Sequence, residues 1–527
     1  MKLVGIFLSG LLFLGCALTS CNQTPVKRKK IDFLKLKTSA QEKMKRLLLE
    51  GHPELPLSKK ERESLLSIYK SVGFQPFFGA DSLSTVTKAN WMQTLQKLPH
   101  FGLPANRFNK VADEQHFLIQ ELLLCHQIGS CIHDLDSGFI DFEKRRFRPK
   151  TWQKFPVQWF RTTLATDSIL LSRGPTDTNY HYFAEHLYHF CDTAQLDTLR
   201  FKVVTEKEDK VLAWTQLKKA LIGLGYTNAK SDSLAIRAAL KNYQKAQGLN
   251  PDARIGSSTS LAFNRASKDK LFQAQIALDQ LRQAKAPQKT YIQINLPSFE
   301  LFYIADDTLR AIHRVIVGKM EHPTPELQSK ITQIVSLPFW RVPSSIAKNE
   351  ILPALKRNAA YLEKEHMRIY AANKKEIDPK TVNWKKIKNK TFPYLIEQDP
   401  GPWNSLGLIK FEFANSFSVY VHDTPSRYLF GQKFRSFSHG CMRADAPIEL
   451  GKLLLTHDKK GDKTNEVSPD SLQVLIDQSV HQKIRLLQPV PISVYYQTVT
   501  ADKFGLYFYL DLYERQQDLL ALFRSQK

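Results

Sequence analysis

From Phe411 the chain reads Phe411-Glu412-Phe413-Ala414-Asn415-Ser416-Phe417-Ser418-Val419-Tyr420-Val421-His422, then Asp423-Thr424-Pro425. Fifteen residues separate His422 from the run Ser438-His439-Gly440-Cys441-Met442-Arg443. Alternation predicts one strand over Phe411–His422, with Phe417, Val419 and Val421 on one face and Ser418, Tyr420 and His422 on the other. A thiol becomes a useful nucleophile when a neighbouring imidazole can take its proton and hold the thiolate, and His422 and His439 are both candidates. Gly440 removes a side chain just before the sulfur, so a substrate carbonyl and backbone N–H groups can approach closely. Amides around Gly440–Met442 are then candidates to stabilise an oxyanion. Arg443 adds positive charge near the thiolate, or binds a carboxylate or a backbone carbonyl to fix the loop. The same residues admit a metal reading through His422, His439 and Cys441, for which no fourth ligand is evident.

Working outward, period-two alternation begins at Tyr291. Ile292, Ile294 and Leu296 are followed by Leu301–Ile304, a turn at Asp306-Asp307, Ile312–Val317 ending at Gly318, and a further strand at Ile331–Leu337. Residues 351–402 interrupt this β-rich segment with helical, polar and basic sequence closed by Pro393 and Pro400-Gly401-Pro402. An insertion of that size between strands of one sheet suggests a lid. Residues 501–527 follow as a C-terminal extension.

Towards the N-terminus, residues 208–266 carry two helical stripes, Leu217-Leu221-Leu224 and Ala235-Ile236 to Tyr243-Gln244. Gly248-Leu249, Asp252, Ile255-Gly256, Thr259, Leu261 and Asn264 come after them. The succession resembles the small three-helix peptidoglycan-binding module, with Tyr243 for the usual Phe and Ala253 for the usual second Gly of the turn; a helical spacer is the plainer alternative. Residues 40–205 read as a helical scaffold whose dense aromatics belong to a core, with no catalytic pattern. Cys125, Cys131 and Cys191 read as buried thiols or disulfide partners. The spacing of Cys125-His126 and Cys131-Ile132-His133 matches no common zinc module.

Residues 1–20 read as a signal peptide, with Lys2 before an apolar run too short to span a bilayer comfortably. Leu18-Thr19-Ser20-Cys21 resembles a bacterial lipobox, which implies lipidation of Cys21; Leu14-Gly15-Cys16 is a weaker second candidate. Residues 21–39 form a basic tether whose Lys27-Arg28-Lys29-Lys30 suits anionic headgroups. The 527 residues are 43% apolar and 11% aromatic, which excludes disorder and fibrous classes. Their formal net charge of +24 favours an anionic partner. Export argues against nucleic acid, so the expected setting is the bacterial envelope, facing the periplasm and lipid-anchored to a membrane.

Residues 288–500 resemble the L,D-transpeptidase catalytic domain, whose mark is a His followed some fifteen residues later by Ser/Thr-His-Gly-Cys. Pro323-Thr324-Pro325, Pro338–Ala347 and Gly401–Gly407 add to the likeness. With the insertion, they point to the large periplasmic murein enzymes that also carry a scaffold domain and a wall-binding module. The resemblance implies an α+β multidomain chain: a mostly β catalytic domain with a helical capping insertion at 351–402, a three-helix module and a helical N-terminal scaffold. It implies Cys441 as nucleophile and His422 as general base and acid. Ser438, His439 and Gly440 then orient the loop, and Arg443 clamps loop or substrate. The reaction implied is attack on the third residue of a stem tetrapeptide, release of D-Ala, and resolution of the thioester by a neighbouring stem's amine to give a 3→3 cross-link. No cofactor and no metal are required. Alternatives are the same thioester resolved by water, a free D-amino acid or a protein amine, or a non-catalytic lipoprotein tethering membrane to wall.

Overall fold

The computed structural model describes residues 34, 37–78, 82–105, 107, 116–152, 157–161, 165–193, 201–247, 249–284, 288–388, 392–458 and 467–525. The signal peptide, Cys21 and most of the basic tether lie outside them. The chain is α+β, as expected. No helix among the described residues is long and apolar enough to cross a membrane.

Residues 291–495 are built on β1 (Tyr291–Asn295), β2 (Glu300–Ala305), β3 (Thr308–Gly318), β4 (Leu327–Ser336), β5 (Ile409–Phe413), β6 (Val421–His422), β7 (Ser436–Ser438), β8 (Met442–Ala444) and β9 (Gln482–Tyr495). They form one sheet in the order β7-β3-β8-β6-β5-β4-β9-β1-β2, and β2 also pairs with β3, so eight strands close into a barrel. Closure removes the open edges that a sheet of this size would otherwise expose. Alternation along β1 and β2 sends Ile292, Leu301 and Tyr303 into the core, β4 adds Ile331 and Ile334 across a register shift, and Phe411, Val421, Met442 and Ile492 meet them. Strand β9 holds Pro489, which cannot donate to a ladder, and the β9–β4 register shifts across it between Arg485 and Val490.

The expected single strand Phe411–His422 is instead a hairpin. Asn415 folds the chain back: its amide donates to the Phe413 and Val419 carbonyls, and its Oδ1 accepts from the Phe417 and Val419 N–H groups. Ser418 takes a φ of 57° in this turn. Strand β6 then pairs antiparallel with β5 and parallel with β8.

The insertion is also not simply helical. Around the short helices Leu352–Arg357 and Tyr361–Lys364 it carries strands Met367–Tyr370, Glu376–Ile377 and Leu395–Gln398, which join Trp340–Arg341 in a separate four-stranded sheet. Ile351, Leu352, Leu355, Leu362, Ile369, Trp384 and Ile396 give it a core of its own. It therefore begins near Trp340 and is a mixed α/β subdomain.

Residues 210–263 form three helices, Lys210–Gly223, Ser233–Ala246 and Ser257–Phe263, around a separate core. Buried Gln244 organises the turn after the second helix. Its Nε2 donates to Asp252 Oδ1, the Arg254 carbonyl and Thr259 Oγ1, and its Oε1 accepts from the Ala253 N–H. Ala253 has a φ of 57°, the left-handed region that explains why a Gly is usual there.

In the N-terminal scaffold the helix Phe117–Ser137 is almost wholly buried. Its Cys125 and Cys131 are free, as is Cys191, so no disulfide forms among them. The helix Ser267–Gln283, unassigned from sequence, joins scaffold to barrel. Its buried Asp279 accepts from the Phe139 and Ile140 N–H groups, Arg282 donates to the Phe101 carbonyl, and Ala277 offers its carbonyl to Gln497. The C-terminal extension turns out to be integral. Helix Gln517–Arg524 packs Leu519, Leu520 and Phe523 into the scaffold core, and Arg524 pairs with Asp269 at 2.8 Å.

Candidate active site

Strands β5, β6 and β8 lie side by side, with Lys410 opposite His422 and His422 opposite Arg443. One residue along, Phe411, Val421 and Met442 are paired in the same way and are fully buried in the barrel core. Side chains alternate, so the face away from the core carries Lys410, Tyr420, His422, Cys441 and Arg443. Pairing thus brings together two segments fifteen residues apart, and sets the sulfur one step diagonally from the imidazole.

The loop that presents Cys441 is tied down from three sides. Gly440 has a φ of 113°, and a Cβ there would meet nothing closer than 3.8 Å, so backbone conformation rather than space calls for glycine. Ser438 Oγ donates to the Cys441 carbonyl at 2.6 Å and accepts from the Gly440 N–H at 3.1 Å. Buried Thr324 accepts from the Gly318 N–H at 2.9 Å and donates to the Gly440 carbonyl at 2.8 Å. Behind it the C-terminal segment closes the support: Tyr513 donates to the Gly318 carbonyl and Arg515 to the Thr324 carbonyl.

These bonds narrow the candidate oxyanion donors. The Gly440 N–H is held by Ser438, and the Met442 N–H donates to the Tyr420 carbonyl at 3.0 Å. Of the three amides expected to serve, only that of Cys441 makes no hydrogen bond among the described residues.

Burial sets the protonation states. It pushes the half-buried Cys441 thiol up, against hydrogen bonding from the Tyr420 main chain and hydroxyl and the positive charge of Lys410 and Arg443. Burial and then Arg443 bring His422 down to about 3, outweighing the Asp423 and Leu406 main chain. The resting pair is a neutral thiol beside a neutral imidazole. His422 Nδ1 is buried with no hydrogen-bond partner, so it is a nitrogen free to accept a proton.

The second candidate base, His439, points elsewhere. Its Nε2 pairs with Glu350 of the insertion at 2.7 Å and its ring stacks on His322 at 5.2 Å. The metal reading of His422, His439 and Cys441 therefore fails geometrically: the three do not converge.

Tyr420 is a further candidate site residue, one that its sequence position alone does not single out. Its ring lies 5.5 Å from His422 and under Lys410 Nζ at 4.1 Å, and its hydroxyl donates towards Cys441 and accepts from the indole of Trp340 in the insertion. The insertion thus touches the site twice, through Trp340 and Glu350. The three-helix module touches the approach to it, where Asn250 accepts from the Lys433 N–H at 2.9 Å and Phe434 packs on its core.

Comparison with known proteins agrees with this geometry. Residues 289–463 match the YkuD family, described as the L,D-transpeptidase catalytic domain. A Haemophilus influenzae protein, provisionally named an L,D-transpeptidase, is 36% identical over 164 residues, 31% of this chain and 33% of that relative. This chain thus spans about a third of the relative's length. Among solved structures, an L,D-transpeptidase from Mycobacterium smegmatis aligns at 12% identity over 39% of this chain and 58% of its own, with a TM-score of 0.18. One from Xylanimonas cellulosilytica aligns at 14% identity over 57% and 98%, with a TM-score of 0.17. Scores that low add no weight. What the comparisons show is therefore carried by the family match and the curated relative: residues 289–463 of this chain match the YkuD L,D-transpeptidase catalytic domain.

Proposed function

We propose that this chain is a peptidoglycan L,D-transpeptidase that forms 3→3 cross-links through a thioester on Cys441. The observation that carries the reading is the placement of Cys441 and His422 on one face of paired strands, with an unpartnered imidazole nitrogen between two cationic side chains. Cys441 attacks the carbonyl of the third stem residue as its proton passes to His422. The Cys441 N–H, joined by the Tyr420 hydroxyl, stabilises the oxyanion. The amide C–N bond then breaks, the proton moves from His422 to the departing amine, and D-Ala leaves. The acceptor amine attacks the thioester, gives its proton to His422, and expels the sulfur, which is reprotonated. A thiol, an imidazole and oriented donors supply every step, so the mechanism requires no cofactor.

The rest of the chain is read to match. The three helices of residues 208–266 bind wall glycan, and the mixed α/β insertion caps the donor. The segment ending at Cys21 places the protein at an envelope membrane as a lipoprotein.

Mass spectrometry of the purified protein after incubation with meropenem tests the nucleophile. The expected result is one adduct, mapping to Cys441 and absent from Cys441→Ala. Muropeptides from a deletion strain test the product: 3→3 dimers disappear. Retained dimers with altered or protein-linked stems would assign the thioester to another acceptor. Wall binding without any adduct would leave only a tether.

A further inference from the structure

We propose that Arg443 seats the free α-carboxylate of the residue that leaves the acyl donor, and so makes the enzyme selective for stems ending in an unmodified acid; this rests on the transpeptidase reading above. Several other arginines of this protein are matched by a carboxylate. Arg107 pairs with Asp134, Arg282 with Asp279, Arg524 with Asp269, and Arg314 with Asp445. Buried Arg435 has no carboxylate and instead donates to the main-chain carbonyls of Val315, Phe299 and Gln432. Arg443 has neither. Its Nε is buried without a hydrogen-bond partner, and no ion pair or hydrogen bond reaches its guanidinium among the described residues. A half-buried cation left uncompensated is costly, and an arriving anion removes that cost.

Neighbouring charge does not supply the anion. Lys410, the other cation of the face, is already matched by Glu412 at 2.7 Å and by the Tyr420 ring. His422, opposite Arg443, is held neutral by its surroundings. The guanidinium therefore faces the reacting groups with its charge unspent.

The spacing suits an α-carboxylate. Arg443 lies two residues beyond Cys441, about 7 Å along the strand. In a donor whose last residue leaves, the terminal carboxylate carbon sits within about 3.6 Å of the scissile carbonyl carbon, one residue's span. With the scissile carbonyl at the sulfur, the carboxylate lies between Cys441 and Arg443, where a flexible arginine stem can meet it in a two-pronged contact. A carbonyl or carboxamide in the same place would accept a hydrogen bond but leave the charge unmatched.

The test compares two synthetic tetrapeptide donors with the full-length protein. One ends in a free carboxylate and the other in a carboxamide, and release of the terminal residue is followed by mass spectrometry. Wild type should favour the acid by roughly tenfold to a hundredfold in kcat/KM, the range for a charge-assisted contact. Arg443→Gln should reduce that preference to about threefold or less, and Arg443→Lys should keep part of it. Equal use of both donors by wild type would overturn the proposal, and that measurement needs no variant. So would an Arg443→Gln enzyme that loses activity on both donors by the same factor, because the charge would then serve the sulfur or the fold. Release from neither donor, with Cys441 still labelled by meropenem, would overturn the stem-peptide reading and this inference with it.

Discussion

The neutral resting state of Cys441 and His422 has a consequence that alkylation reads directly. A thiol at its ordinary value of 9.0 is about 1% thiolate at pH 7, and burial moves Cys441 above that value. His422, brought down to about 3, cannot hold a proton at pH 7 to stabilise the anion. Iodoacetamide should therefore modify Cys441 at pH 7 at less than about a hundredth of its limiting rate, rising about tenfold per pH unit through pH 9. The rate is measured by following the adduct at Cys441 in the native protein, since Cys125 and Cys131 are fully buried. His422→Gln should leave this profile nearly unchanged while lowering turnover by a factor on the order of 10² to 10⁴, because the imidazole acts only once the substrate is in place. A reactivity plateau between pH 5 and 7 that vanishes in His422→Gln would reveal a standing thiolate–imidazolium pair and refute the reasoning.

The same imidazole links stability to pH. Its folded value of about 3 lies below the 6.5 of a free imidazole, so its contribution is present above 6.5 and is lost as pH falls through 3. By pH 5 the loss is about 2 kcal/mol, and the fall in urea midpoint between pH 7 and pH 5 should be smaller in His422→Gln than in wild type. Thr324→Val leaves the Gly318 N–H and the Gly440 carbonyl buried without their partner. At about 1–3 kcal/mol for each group, it should lower the thermal midpoint and turnover together, and Thr324→Ser should restore both.

Much of the candidate site could be picked out before folding, and the reason is physical. A nucleophile and its base must be particular residue types, and here the two candidates sit in or next to short strands whose spacing along the chain is fixed. His422, Gly440 and Cys441 could therefore be picked out from sequence alone. Which imidazole faces the sulfur could not. That follows from the parallel pairing of β6 with β8, which turns His422 to the reacting face, and from Glu350, which draws His439 to the insertion. Tyr420 was hidden for the same reason: its place on the β6 face was legible, but its neighbour across the ladder was not. The Phe411–His422 hairpin was misread because Phe417, Val419 and Val421 keep the phase of alternation through a turn that one side chain, Asn415, builds.

The subdomain boundaries failed differently. A strand such as Leu395–Gln398 buries a single apolar residue, Ile396, together with polar Gln398, and the surrounding lysines outweigh that signal in any window. Residues 501–527 read from sequence only as an extension, because the apolar stripe of Leu519, Leu520 and Phe523 does not name the core that receives it. Specific polar contacts do name their receivers, and they connect the parts. Arg515 reaches Thr324, Thr324 reaches Gly440, and the Cys441 loop is thereby braced by the far end of the chain. Cys441 is thus found by spacing, but it is positioned by residues about seventy places beyond it, and trimming the C-terminus should disturb the site before it disturbs the barrel.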